Sequence, residues 1–171
     1  MGILVDGVWQ EDNLIKNKED GKFIRPDSTF RDWIAADGSP GPDGQKAYPA
    51  EKGRYHLYVS LACPWAHRTL IVRALKGLED MISVSVVHWH MGAQSWNFEA
   101  GDGVISDPVI NADYLHQIYT LAKPDMSGKV TVPVLFDKKE RKIVNNESSE
   151  IIRIFNEAFD DLGALPGHYY P

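Results

Sequence analysis

The sequence contains the stretch Tyr55-His-Leu-Tyr-Val-Ser-Leu-Ala-Cys63-Pro64-Trp-Ala-His-Arg-Thr-Leu-Ile-Val-Arg-Ala-Leu-Lys-Gly77, which predicts a strand, a sharp turn and a helix. Side chains alternate from Tyr55 to Val59 with the period of a strand. Pro64 fits the first helical position, where its missing N–H bonds nothing, and Gly77 marks the end of the helix. The chain has 171 residues and one cysteine, Cys63, which therefore falls at a helix N-terminus.

A helix N-terminus is a favourable place for the negative charge of a thiolate. Free N–H groups and the helix macrodipole both stabilise an anion there, and the thiolate is the reactive form of cysteine. We therefore predict that Cys63 is a catalytic nucleophile rather than an inert, buried thiol. His67 and Arg68 follow in the first turns of the same helix, where a positive charge would further favour the thiolate. An equal alternative is that they face solvent or pack on Trp65.

Cys63 has no second cysteine to resolve a mixed disulfide. A dithiol enzyme carries its resolving cysteine where this turn has Ala66. If Cys63 attacks a sulfur, a thiol from outside the chain has to release it. The lack of an apolar signal segment and of an internal disulfide favours a reducing, cytoplasmic setting, where glutathione is the expected thiol. We therefore expect glutathione as a co-substrate.

The composition excludes several classes of partner. With 43% hydrophobic and 25% charged residues, the chain is typical of a soluble globular protein. A net charge of −6 without a basic run argues against general nucleic-acid binding, and no window is apolar for long enough to cross a membrane. His88 and His90 could join Cys63 and His67 as metal ligands, but these pairs lie on different predicted elements. We therefore predict no metal.

The rest of the chain predicts an α/β domain. After the Cys63 helix, the periodicity and the turn residues predict four further elements and the start of a fifth: a strand (82–87), a helix (111–122), a strand (130–137), a strand (142–144) and a helix opening at 146–150. The order βαβ, helix, β-hairpin, helix is that of the thioredoxin fold, with parallel strands in the βαβ unit.

The first 54 residues are predicted to form an extension that wraps on this domain. The domain itself is predicted to comprise residues 55–162. Asp6-Gly7 between apolar residues predicts a tight hairpin. The segment Phe30–Ile34 predicts a short helix. Residues 36–53 are rich in glycine, proline and aspartate, so they predict a loop.

Pro133 interrupts the strand predicted over residues 130–137. A proline at this position fits a cis peptide bond or a bulge beside a ligand, and an edge-strand proline without a role is an equal alternative. A cis proline would leave the main-chain N–H and C=O of Val132 free to pair with an extended peptide.

Glu147 and Ser148 stand at the start of the last predicted helix. Free N–H groups there bind carboxylates, and a glutamate can pair with an ammonium group; the γ-glutamyl end of glutathione carries both. On these residues alone, an ordinary cap formed by Asn146 or Ser148 is favoured, and capping does not exclude ligand binding. Trp96, in an irregular segment, either offers a flat face to a ligand or packs that segment on the domain, and packing is favoured.

Three motifs carry a family resemblance: Ser60-Leu-Ala-Cys-Pro-Trp-Ala-His-Arg68, Thr131-Val-Pro-Val134 and Asn146-Glu-Ser148. They resemble the glutathionyl-hydroquinone reductases, which are the Xi-class glutathione transferases. The rest of the chain is similar to that family at Asp6-Gly-Val-Trp9, Phe30-Arg-Asp-Trp33 and Tyr169-Tyr-Pro171. The Cys-Pro-Trp-Ala-His-Arg run is specific, whereas Val-Pro-Val and Glu-Ser recur across most glutathione transferases.

The resemblance implies a reaction in two steps. The cysteine that matches Cys63 attacks the sulfur of a glutathionyl-hydroquinone, the hydroquinone leaves, and a second glutathione resolves the mixed disulfide. The glutathione-binding residues it implies are Trp96, Lys129, Val130, Thr131, Val132, Pro133, Glu147 and Ser148. Lys129 stands where the family usually carries arginine, so a bidentate contact to the glycyl carboxylate is lost.

The resemblance also implies a second domain. Family members continue into an all-helical domain that supplies tyrosines to the hydroquinone pocket, among them a proton donor, and most of the homodimer contact. We expect residues 163–171 to begin the linker to that domain and this chain to be a fragment that binds glutathione with weak or absent hydroquinone turnover. The alternatives are an omega-type glutathione transferase or thioltransferase acting on dehydroascorbate or mixed disulfides, and a non-catalytic thioredoxin-like module.

Overall fold

The computed structural model describes residues 2–11 and 27–170, which form eight strands and three α-helices. In chain order these are β1 (Ile3–Val5), β2 (Val8–Gln10), β3 (Trp33–Ala35), β4 (Ala47–Pro49), β5 (Tyr55–Val59), α1 (Pro64–Leu75), β6 (Ser83–Val86), α2 (Leu115–Ala122), β7 (Val134–Asp137), β8 (Lys142–Asn145) and α3 (Ser148–Glu157). A short 3₁₀ helix, Asp160–Leu162, follows α3. No helix in these two described ranges is long and apolar enough to cross a membrane.

A four-stranded sheet in the order β6-β5-β7-β8 forms the centre of the fold. The strands β5 and β6 pair in parallel, because α1 connects them as a crossover, while β7 pairs antiparallel with both β5 and β8. All five residues of β5 are buried, so both faces of this strand are covered. This arrangement confirms the thioredoxin-like α/β fold.

The N-terminal segment was predicted in part. The hairpin of β1 and β2 is confirmed, and its turn residues Asp6 and Gly7 have φ of 48° and 77°, as a tight hairpin turn of this kind requires. The short helix predicted over Phe30–Ile34 is wrong, because β3 occupies its second half. This strand pairs in parallel with β4, which lies inside the segment predicted as a loop. A distant partner strand overrides the local preference for a helix.

Two predicted elements are shorter in the structure. The helix predicted from residue 111 begins at Leu115, because Asn111 has a positive φ of 53° and Tyr114 is extended, with φ −133° and ψ 144°, so neither is helical. The strand predicted from residue 130 begins at Val134, directly after Pro133, which has no N–H to donate to a sheet. The domain limits at residues 54 and 162 stay predictions, and residues 12–26 of the extension lie outside the described ranges.

Candidate active site

Cys63 lies where the sequence predicted it, at the N-cap of α1. Its backbone is extended, with φ −108° and ψ 112°, and Pro64 opens the helix. The side chain is partly exposed, and its Sγ lies 3.8 Å from the carbonyl oxygen of Val132. The only sulfur nucleophile of the chain is therefore next to the segment that the sequence proposed for peptide binding.

The segment around Pro133 presents main-chain groups beside this thiol. The Val132–Pro133 peptide bond is cis, one of the two geometries predicted for it. The Val132 side chain is buried, while its N–H makes no hydrogen bond with any described residue. Val130, which precedes this turn, is also buried, so the segment is held by its side chains and leaves main-chain groups for a ligand.

The N-terminus of α3 forms the other side of the site. Glu147, rather than Asn146 or Ser148, is the N-cap, and its carboxylate accepts hydrogen bonds from the N–H and the hydroxyl of Ser149 at 3.2 and 3.0 Å. The N–H of Ser148, the first residue of the helix, has no acceptor among the described residues. A helix N-terminus with such a group binds anions.

Arg68 reaches from α1 to this helix end. Its Nε and Nη2 donate to the Ser148 hydroxyl at 3.1 and 2.6 Å, and its guanidinium lies 3.7 Å from the Glu147 carboxylate. The same guanidinium stacks over the ring of Trp65 at 5.1 Å. Because Arg68 can only donate, Ser148 Oγ is the acceptor in both bonds, and the Ser148 O–H remains a donor for a further acceptor. A carboxylate is such an acceptor.

The N-terminal extension also contributes to the site, which the sequence did not predict. Ser28 Oγ donates to Glu147 at 2.9 Å, and Arg31 pairs with Glu150 through two hydrogen bonds. The backbone of Phe30 exchanges bonds with Asn146, whose side-chain oxygen accepts from the Phe30 N–H at 3.1 Å. These contacts of the N-terminal extension therefore hold the start of α3 in place.

Tyr119 of α2 is a further residue near the site, and no sequence motif indicates its role. It is fully buried, and its hydroxyl donates to the Thr131 carbonyl at 2.8 Å and accepts from the Thr131 N–H and the Asn146 amide, both at 3.2 Å. Burial raises the pKa of Tyr119, so the hydroxyl stays protonated. A buried tyrosine hydroxyl needs a hydrogen-bond partner, so a tyrosine on the buried face of a predicted helix is the sequence signal that could have indicated such a contact.

The remaining predicted site residues are placed as follows. Trp96 is partly buried against the core, and its carbonyl accepts the Leu115 N–H at 2.9 Å. His67 is exposed on α1, and Lys129 is partly exposed before the turn. No hydrogen bond or ring contact within residues 2–11 and 27–170 joins the side chain of Trp96 or His67 to the cluster of Cys63 and α3. Within the same ranges, no group of three or more His, Cys, Asp and Glu residues could hold a metal ion.

Comparison with known proteins identifies the family. The chain matches the family described as "Glutathione S-transferase, N-terminal domain" over residues 62–158. It is 53% identical over 171 residues to the glutathionyl-hydroquinone reductase PcpF of Sphingobium chlorophenolicum. It is 56% identical over 172 residues to the glutathionyl-hydroquinone reductase YqjG of Escherichia coli. All of this chain is matched in both cases, but it spans about half the length of these curated relatives (51% and 52%).

Two solved structures agree with this assignment. The glutathione-bound structure of YqjG, a glutathione transferase homolog, superposes with a TM-score of 0.86 at 53% identity, covering 99% of this chain and 50% of that chain. The Xi-class glutathione transferase from Natrialba magadii superposes with a TM-score of 0.83 at 47% identity, covering 100% of this chain and 49% of that chain. This chain therefore belongs to the glutathione S-transferase family, whose N-terminal domain it contains, and its resemblance to the Xi-class glutathionyl-hydroquinone reductases is confirmed.

Proposed function

We propose that this chain is the glutathione-binding, thiol-bearing part of a glutathionyl-hydroquinone reductase. The observation that carries the proposal is the 3.8 Å contact between Cys63 Sγ and the Val132 carbonyl, in a chain with a single cysteine. The sulfur lies next to the Val132 main chain, whose N–H has no acceptor among the described residues. The reductase names of the relatives support the substrate, although this chain spans about half of their length and the activity of the whole protein is part of the proposal.

The groups around Cys63 fit the three parts of glutathione. The Val132 N–H and C=O suit the main chain of the cysteinyl residue. At α3, the Ser148 N–H and O–H suit the α-carboxylate of the γ-glutamyl end, and Glu147 suits its ammonium group. The full binding set that we propose is Trp96, Lys129, Val130, Thr131, Val132, Pro133, Glu147 and Ser148. Within it, Lys129 supplies a positive charge for the glycyl carboxylate and Trp96 a flat surface beside the tripeptide.

The bound tripeptide brings its sulfur to Cys63. The Cys63 thiolate attacks the glutathione sulfur of a glutathionyl-hydroquinone, and a sulfur–sulfur bond forms. The bond from that sulfur to the ring carbon breaks, and the carbon takes the electron pair and a proton as the hydroquinone leaves. A second glutathione thiolate then attacks the bound glutathione sulfur, which releases oxidised glutathione and the Cys63 thiolate. The ring carbon is reduced by two electrons, and two glutathione sulfurs are oxidised.

His67 and Arg68 follow Cys63 on α1, and we assign a role in the ligand site to Arg68. Arg68 donates to Ser148 and lies near Glu147, so its main role is to orient the γ-glutamyl subsite. A contribution of His67 or Arg68 to the stability of the thiolate stays a prediction. The macrodipole of α1 favours an anion at Cys63 without either residue.

The proposal is tested by mass spectrometry of the intact chain. After incubation with oxidised glutathione, we expect the mass of one glutathionyl group to be added, and excess reduced glutathione should remove it. The Cys63→Ser variant should stay unmodified. A wild-type chain that also stays unmodified would contradict the proposal.

The omega-type alternative is separated by substrate. Turnover of a glutathionyl-hydroquinone and of dehydroascorbate should be compared with the same enzyme preparation. A preference for the hydroquinone conjugate supports the proposed reductase, and a preference for dehydroascorbate supports the alternative.

A further inference from the structure

We infer that the Tyr119 hydroxyl is a positioning group that couples the two halves of the glutathione site. One half is the main chain of Val132, which we assigned to the cysteinyl residue, and the other is Glu147 and Ser148, which we assigned to the γ-glutamyl end. The inference rests on the proposed function, because it concerns how that ligand is held. Tyr119 is not placed in contact with the ligand, and it acts only through the groups that it holds.

The first contact set of Tyr119 holds the cysteinyl half. Its hydroxyl donates to the Thr131 carbonyl at 2.8 Å and accepts from the Thr131 N–H at 3.2 Å. Both main-chain groups of the residue directly before Val132 are therefore tied to one oxygen atom. The Thr131 carbonyl and the Val132 N–H belong to one planar peptide group, so holding this carbonyl fixes the direction of the Val132 N–H.

The second contact set holds the γ-glutamyl half. The Asn146 side-chain amide donates to the same Tyr119 hydroxyl at 3.2 Å. The side-chain oxygen of Asn146 accepts a hydrogen bond from the Phe30 N–H at 3.1 Å, and the main-chain N–H of Asn146 donates to the Phe30 carbonyl at 3.1 Å. Asn146 directly precedes Glu147 and Ser148 in the chain, so its position determines where α3 begins.

Burial makes this link rigid. Tyr119 is fully buried, and the Phe30 ring packs edge-on against its ring at a centroid distance of 5.8 Å. Without water to replace a lost bond, each partner group depends on the same oxygen atom. The tripeptide has to reach both halves at once, so their separation matters for its affinity while it does not matter for a ligand that uses one half.

The experiment compares two ligands in NMR titrations of the 171-residue chain under a non-thiol reductant. Reduced glutathione uses both halves, whereas cysteinylglycine lacks the γ-glutamyl group and uses one. The readout is the ratio of their dissociation constants. Any loss of folded protein lowers both affinities by the same factor and leaves this ratio unchanged. A purely structural role of Tyr119 would therefore not change the ratio.

The variants cut the link from either side. In Tyr119→Phe, and separately in Asn146→Ala, we expect the preference for glutathione over cysteinylglycine to fall by about tenfold, which is the effect of one well-placed hydrogen-bond contact. The double variant should fall no further, because either substitution already breaks the link. Tyr58→Phe is the matched control: it removes a buried hydroxyl that bonds Asp107 at 2.8 Å and no residue of the proposed binding set, and should leave the ratio unchanged.

The outcomes are distinguishable. An unchanged ratio in both single variants, with a wild-type chain that prefers glutathione, overturns the inference and leaves the proposed function standing. A double variant that loses the product of the two single effects shows independent contributions and also overturns the coupling. A wild-type chain without any preference for glutathione overturns the proposed γ-glutamyl subsite, and the inference with it.

Discussion

His56 provides a prediction about stability in acid that can be worked out from the structure. It lies in the central strand β5 with no exposed surface, and its ring nitrogens contact the hydroxyls of Ser83 at 2.6 Å and Ser85 at 2.8 Å. Burial lowers the pKa of His56 from 6.5 to about 4, and the nearby charge of Asp107 opposes this shift only in part. The folded chain therefore holds His56 neutral at neutral pH.

The sign of the effect follows from which state takes up the proton. In the unfolded chain, His56 is protonated as the pH falls through 6.5, while in the folded chain it resists protonation down to about 4. Its contribution to stability is therefore complete above the unfolded pKa and is lost progressively between these two values. A difference of that size corresponds to about 3 kcal/mol of unfolding free energy.

The assay is urea unfolding between about pH 7 and about pH 4, for the wild-type chain and His56→Gln. Glutamine keeps hydrogen-bonding groups for the two serines but does not titrate. Lost packing lowers the unfolding free energy of the variant by the same amount at every pH. We therefore expect the wild-type advantage to shrink by about 3 kcal/mol across this range. His56→Asn should show the same change. Parallel pH profiles for wild type and both variants would refute the reasoning.

Two further substitutions test the contacts of charged side chains. Arg68→Lys should weaken glutathione binding about tenfold in calorimetric titration, because an ammonium group cannot reproduce the planar pair of donors. The control is Arg73→Lys, since Arg73 is also on α1 but its Nε bonds the main-chain carbonyl of Ile82 at 2.8 Å. Equal affinities of the two variants would contradict the role assigned to Arg68. Asp137→Asn removes the carboxylate charge that lies 2.6 Å from the buried Arg54 guanidinium and should cost about 3–5 kcal/mol in urea unfolding. Glu51→Gln, at an exposed partner of the same arginine, should cost less than about 1 kcal/mol, and similar losses for both would argue against a buried pair.

Local rules explain why the position of Cys63 could be predicted. The helix that starts at Pro64 is specified by neighbours in the sequence, since proline favours a first helical turn and glycine ends one. The cis or bulged geometry at Pro133 was likewise one of few options for a proline in a strand pattern. Both features depend on the backbone preferences of a few consecutive residues.

Non-local contacts explain what could not be predicted. The strand β3 forms because it pairs in parallel with a separate segment, β4, and no local sequence pattern predicts that pairing. Ser28 contacts Glu147 from 119 positions away, and Tyr119 bonds Asn146 across 27 positions. A hydroxyl has no periodicity that identifies its partner, so these roles emerge only when the sheet and helices are packed.

The sequence by itself determined the single thiol, its place at a helix N-terminus and the thioredoxin-like order of elements, and it predicted the need for an outside thiol. Only the tertiary structure decided how the site is held together, because segments far apart in the sequence meet there. Arg68 turned out to contact Ser148, Glu147 turned out to be the cap, and the buried Tyr119 turned out to bond both Thr131 and Asn146. Hydrogen bonds between distant segments depend on the packing of the whole core, whereas the reactivity of a thiol depends mainly on the turn that carries it.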